Sequence, residues 1–140
     1  MLITTTFEIP DFRIVSTQGE VFGLTVRSRN LGSGMVAGVK ALVGGELKGM
    51  TKLLAQSRNE AMARMVDQAR RLGANAVVGM RFDSGALGQW SEVCAYGTAV
   101  VVVPLTDAAR SQLEAIESAG SAPQQAGYRT SVSEFSSPSD

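Results

Sequence analysis

Four consecutive valines, Val100 to Val103, close a segment that begins at Glu92 and stops at Pro104. A β-branched run of this kind suits an extended backbone and presents apolar side chains to both sides of a strand. Such a strand belongs inside a sheet with both faces covered and makes a poor solvent-exposed edge. The rest of the chain must supply that cover, and 140 residues allow one hydrophobic core in one domain. A neighbouring copy of the chain is a further candidate for part of it.

The core has to be built from small aliphatic side chains. Apolar residues make up 44% of the sequence but aromatics only 6%, which leaves Val, Leu, Ala and Met. Their clearest arrangement is a helix expected from Thr51 to Leu72. Leu54, Ala61, Met62, Met65, Val66, Ala69 and Leu72 fall at helical spacing, with Arg58, Arg64, Asp67 and Arg71 largely elsewhere. Glu60 with Arg64 and Asp67 with Arg71 are pairs four apart in the favourable order. Arg70 and Arg71 complement the C-terminal dipole, and Gly73 can take the left-handed cap.

Strands are expected on both sides of this helix. Leu2 and Ile3 open a β-branched start, and extended character resumes from Arg13 to Val26 after a turn at Pro10 and Asp11. Gly19 implies a hairpin or bend around Gln18 to Glu20; Gly23 implies a bulge or a close backbone approach. After the helix, Asn75 to Phe82 alternates, a polar turn follows from Asp83 to Ser91, and Glu92 to Val103 returns as the second arm of a hairpin. A second, shorter helix is expected where Met35, Val36, Val39, Leu42 and Val43 form one apolar stripe between Gly34 and Gly44. These elements describe an α+β domain over residues 1–104. It has a small antiparallel or mixed sheet, with two helices between an N-terminal strand pair and a C-terminal hairpin. Beyond Pro104, Thr106 can cap a short helix through Ala109, Leu113 and Ile116. The tail to residue 140 is then rich in Ser, Ala, Pro, Gln and Gly and is expected to be disordered, with Tyr128 and Phe135 as isolated aromatics.

Charge and composition narrow the function classes. Thirteen basic residues balance thirteen acidic ones, so no global field draws in nucleic acid or a membrane surface. The longest apolar run is far shorter than the roughly 20 residues that span a bilayer, and the opening residues do not read as a secretory signal. Cys94 is the single cysteine and cannot form an internal disulfide, which points to a reducing compartment, the cytoplasm.

The stretch from Asn30 to Gly45, the segment RNEAMARMVDQARRLGANAVVGMRFD from Arg58 to Asp83, and AYGTAVVV from Ala95 to Val102 resemble the YbjQ-like family of small bacterial proteins. The likeness runs in order from Leu2 to Val103. It implies a dodecin-like α+β subunit that assembles into a ring-shaped homopentamer, and it carries a heavy-metal-binding label. The sequence departs from the family pattern after the double glycine. Gly49, Met50, Thr51 and Lys52 stand where a Gly-Ala-Tyr-Glu-like helix start is expected.

Two constellations could carry chemistry. A transition-metal site gathers Cys, His or carboxylates, and this chain has no histidine. Cys94 and Glu92 share one side of a strand by period two, with Asp83 across the hairpin, and ring symmetry could multiply a single ligand. A lone cysteine in an apolar strand is more often a core residue. The second constellation is Arg27, Arg29 and Asn30 with Gly32 and Gly34. Two guanidinium groups and a glycine-rich lead-in precede a helix N-terminus that could hold an anion, a phosphate included. It is neither a P-loop nor a dinucleotide fingerprint, and capping or subunit-interface ion pairs use the same residues. With no histidine to serve as base, nucleophilic catalysis is not expected. The expectation is a homo-oligomeric structural or small-ligand binding module rather than an enzyme. Any cofactor is open, a metal ion being one candidate.

Overall fold

The computed structural model describes residues 1–28 and 48–120. The expected helix around Met35 to Val43, the site residues Arg29, Asn30, Gly32 and Gly34, and the tail with Tyr128 and Phe135 lie outside the described residues.

The elements are β1 (Leu2–Ile3), β2 (Phe12–Ser28), α1 (Lys48–Arg71), β3 (Ala76–Leu87), β4 (Trp90–Pro104) and α2 (Asp107–Gly120). The strands form one mixed sheet in the order β1-β3-β4-β2. β4 pairs antiparallel with β3 on one side and β2 on the other, and β1 adds a short parallel rung to β3 at Leu2–Ala76 and Ile3–Val77. The valine-rich strand is therefore central. β3 and β4 join through Gly88 and Gln89, with Gly88 at a positive φ of 59°, as a tight two-residue hairpin with glycine first requires.

No hairpin forms at Gln18 to Glu20. β2 passes straight through as one 17-residue strand, and Gly19, at φ 110°, accompanies a register shift against β4 between Thr17 and Gly19. The extra residue is absorbed as a bulge because β4 is long enough to pair with all of β2. The two N-terminal strands consequently pair not with each other but at opposite sides of the sheet.

α1 lies on one face. Ala61, Met65 and Ala69, four apart, are fully buried against Val21, Val77, Met80, Val93, Ala95 and Ala99. Gly23 allows this contact to be so close: a Cβ there would sit 2.0 Å from the Ala61 carbonyl oxygen and 2.5 Å from the Met65 nitrogen. The helix backbone rests directly on the strand, the second of the two roles expected for that glycine. At its other end α1 closes as expected. Gly73 takes φ 78°, and the Ala74 N–H donates to the Ala69 carbonyl at 3.1 Å.

α2 covers part of the opposite face. Its Thr106 hydroxyl accepts from the Ala109 N–H at 3.1 Å, and Ala109, Leu113 and Ile116 pack with Leu2, Phe12, Ala76, Val78, Val100 and Val102. Of the valine run, Val100 and Val102 are thus buried beneath this chain's own α2, whereas Val101 and Val103, which alternate to the other face, are only partly buried. The packed unit extends past Pro104 to include α2. Asn75 locks the centre: its side-chain amide donates to the Val102 carbonyl at 2.9 Å and accepts from the Val102 N–H at 2.7 Å.

Candidate functional site

α2 reaches only one end of its face. Towards the β3–β4 hairpin the same face carries Phe22 opposite Tyr96, Leu24 opposite Cys94, and Leu87 opposite Trp90, with Val26 beside them on β2. These side chains alternate with Val21, Gly23 and Thr25, which point to α1, so they must project away from it. Phe22 is 46% exposed, Val26 55% and Trp90 46%. An apolar sheet half-face is left bare within the described residues, and contiguous apolar surface of this kind marks an interaction site. The simple period-two reading of β2 contains this signal, since Phe22, Leu24 and Val26 are one strand face; the hairpin expected at Gly19 obscured it.

The three proposed metal ligands sit on this bare face. Asp83 is directly opposite Cys94 in the β3–β4 register, and Glu92 stands two residues before Cys94 on β4, opposite Gly85. The structure brings them to one surface, yet no group of three His, Cys, Asp or Glu close enough to hold a metal ion exists among the described residues. Cys94 is free and half-buried. Burial pushes its thiol up, and the negative charges of Glu92, Asp83 and Glu20 add to that push. Metal and nucleophile chemistry both need the thiolate, which these surroundings disfavour. Among the described residues of one chain, these three do not make a heavy-metal centre.

Of the anion-site residues, Arg27 is described, and it stands at the end of β2 beside α1. Its Nη2 donates to Glu60 Oε2 at 3.0 Å; Arg64 Nη2 donates to Glu60 Oε1 at 2.5 Å, and Arg64 Nη1 donates to the Leu24 carbonyl. One carboxylate therefore bridges two guanidinium groups. Gln68 Oε1 accepts from the Phe22 N–H at 2.8 Å, so Arg64 and Gln68 satisfy backbone groups on the outer edge of β2. The sheet edge is blunted there against pairing with another strand. Thr25, Val26, Arg27, Ser28, Glu60, Arg64 and Trp90 line a cleft of about 400 Å³ at this corner. Thr25, Glu60 and Trp90 were missed by sequence reasoning. Glu60 reads there as one half of an intrahelical pair, and nothing in its spacing reveals a bond to a strand 33 residues away.

Residues 1–103 match the YbjQ family, described as "Putative heavy-metal-binding". A UPF0145 protein of Streptomyces coelicolor is 60% identical over 103 residues, 73% of this chain and 97% of that protein. A UPF0145 protein of Acidothermus cellulolyticus is 56% identical over 73% of this chain and 95% of its own length. Another from Thermoplasma acidophilum is 49% identical over 76% and 91%, and archaeal relatives widen the family beyond bacteria. Among solved structures, a protein of unknown function from Pediococcus pentosaceus, assigned to the DUF74 family, shares the fold. It superposes with a TM-score of 0.51 at 16% identity, over 74% of this chain and 98% of that one. The mixed four-stranded sheet, the Arg58 to Asp83 helix-to-strand segment and these relatives agree: the chain belongs to the YbjQ family.

Proposed function

We propose that the protein works as a homo-oligomeric binding module of the cytoplasm and not as an enzyme. The observation that carries this reading is the bare apolar half-face formed by Phe22, Leu24, Val26, Tyr96, Leu87 and Trp90. Its occupant is a second copy of the chain. Balanced charge opposes no self-association, and Arg81, opposite Tyr96, offers the acidic Asp83, Glu92 and Glu20 of another copy a counter-charge at the margin. An α2 that covers one end of the face and stops leaves room for a partner at the other. The family resemblance favours five copies in a ring. Support for a non-enzymatic role is the raised thiol of Cys94 in a chain without a histidine to serve as its base.

A charge introduced into the face tests this. Phe22→Glu, at a half-exposed position, should leave the fold intact by circular dichroism and reduce the mass in light scattering. An unchanged mass would move the subunit contact elsewhere and overturn the reading.

A second reading takes the Cys94–Asp83 register pair as one contribution to a metal site completed by other copies across the bare face. It predicts bound metal by elemental analysis of purified protein, lost in Cys94→Ser. Metal-free protein after exposure to zinc and copper would end it.

A further inference from the structure

The bare half-face has the dimensions of one helix. Phe22 to Val26 runs about 13 Å along β2 at the rise of a strand, and β2, β4 and β3 together span about 10 Å across it. α2 already covers the other end of this face as a single helix, through Ala109, Leu113 and Ile116. Residues 29–47 lie outside the described residues, and their sequence carries the expected second helix. Met35, Val36, Val39, Leu42 and Val43 make its apolar stripe, about 12 Å long at helical rise. Gly38 weakens such a helix in isolation, so it needs an apolar surface to pack on. Lys40, beside the stripe, is the only charged residue from 30 to 45, and the face opposes to it the carboxylates of Asp83 and Glu92.

We propose that residues 35–43 of one copy cover the bare half-face of the next. The proposal rests on the self-association reading and names the segment that carries it. Chain length decides whether the segment comes from the same copy or another. α1 lies on the opposite face of the sheet from Phe22, Leu24 and Val26, and its backbone begins at Lys48. A helix on the chain's own bare face would stand two layer spacings, roughly 20 Å, from the α1 axis. The link from Val43 to Lys48 reaches at most about 18 Å when fully extended, and it would also have to round the strand ends at Ser28 and Trp90. The face of another copy sets no such limit. Each copy then gives one stripe and receives one, a head-to-tail contact of the kind that closes into a ring.

Cys94 is the single cysteine and lies on the bare face opposite Leu24, so it reports contact with a thiol introduced into the segment. Val39→Cys and Leu42→Cys place that thiol on the stripe, and Ala41→Cys places it on the far side of the same helix. The full-length variants are treated with a short bis-maleimide at mildly alkaline pH. Products are read on denaturing gels and by intact mass, with light scattering on untreated samples. Both stripe variants should give a ladder of linked copies rising to the size of the assembly. Ala41→Cys should lose the ladder, and so should the stripe variants once Cys94→Ser is added. A bridge confined to single chains, seen as a monomer carrying one doubly attached reagent, would overturn the exchange between copies. Equal ladders from stripe and far-side variants, or none from any while the mass stays oligomeric, would refute the segment and leave self-association standing. A monomeric mass for the unmodified protein would instead remove the self-association reading, and this proposal with it.

Discussion

Single residues set both the tightest contact and the chemical temper of the bare face. Gly23 lets the backbone of α1 rest on β2, and a Cβ at that position would fall 2.0 Å from a main-chain oxygen that no side-chain rotation can move. Gly23→Ala is expected to lower unfolding stability by about 3 kcal/mol, the upper range of overpacking, in urea titration; a loss within experimental error would place the helix further from the strand. Cys94 makes a prediction in pH. Its thiol is raised by burial first and by nearby carboxylates second, so the folded state holds the proton more firmly than the unfolded chain. The stabilisation is present below the ordinary thiol value and disappears as pH rises through the folded one. Iodoacetamide should therefore label Cys94 in the folded protein only at higher pH than in the urea-unfolded chain. Equal or faster labelling of the folded thiol near pH 8 would contradict its placement.

At the scale of elements, the sequence disclosed what periodicity controls. The helix expected from Thr51 to Leu72 is Lys48–Arg71, and the Gly73 cap forms where the residues signal it; the β3–β4 hairpin is present too, but its turn is only Gly88 and Gln89, and most of the expected polar turn from Asp83 to Ser91 is paired strand. What periodicity could not disclose was pairing. Gly19 reads as a turn when β2 is considered alone and becomes a bulge only because β4 offers a partner along the whole strand. The cover of the valine run is likewise a tertiary fact, as α2 looks like a short appendage until Ala109, Leu113 and Ile116 meet Val100 and Val102. In the candidate cleft, Arg27 was legible as a guanidinium ahead of a glycine-rich lead-in to a helix, whereas Glu60 joins it through the packing of α1 on β2 and Trp90 through the pairing of β4 with β2. Asn75 also belongs to this scale. Its side chain spans a gap in the ladder with two bonds to Val102, so Asn75→Ala leaves a buried N–H and C=O to find new partners. A loss of about 2–4 kcal/mol in thermal or denaturant unfolding is expected; a neutral substitution would show that water or a shifted β1 replaces the amide.

At the scale of the whole molecule, the sheet divides, among the described residues, into a half sandwiched between α1 and α2 and a half with one face bare. The sandwiched half explains how a chain poor in aromatics holds a core, since Val, Ala and Met pack closely on both sides of β4. Among the described residues no helix is long and apolar enough to cross a membrane, so the bare face is not matched by a spanning helix. Its half-exposed Phe22, Tyr96 and Trp90 are the aromatic anchors typical of interface centres. The blunted stretch of the β2 edge at Phe22 to Leu24 disfavours strand addition there, and the proposed association uses the face instead. The direct measurement is the absolute mass of the full chain by light scattering at micromolar concentration. The account predicts a multiple of 14.7 kDa, near five times that value for the ring. A clean monomer of 14.7 kDa would contradict it.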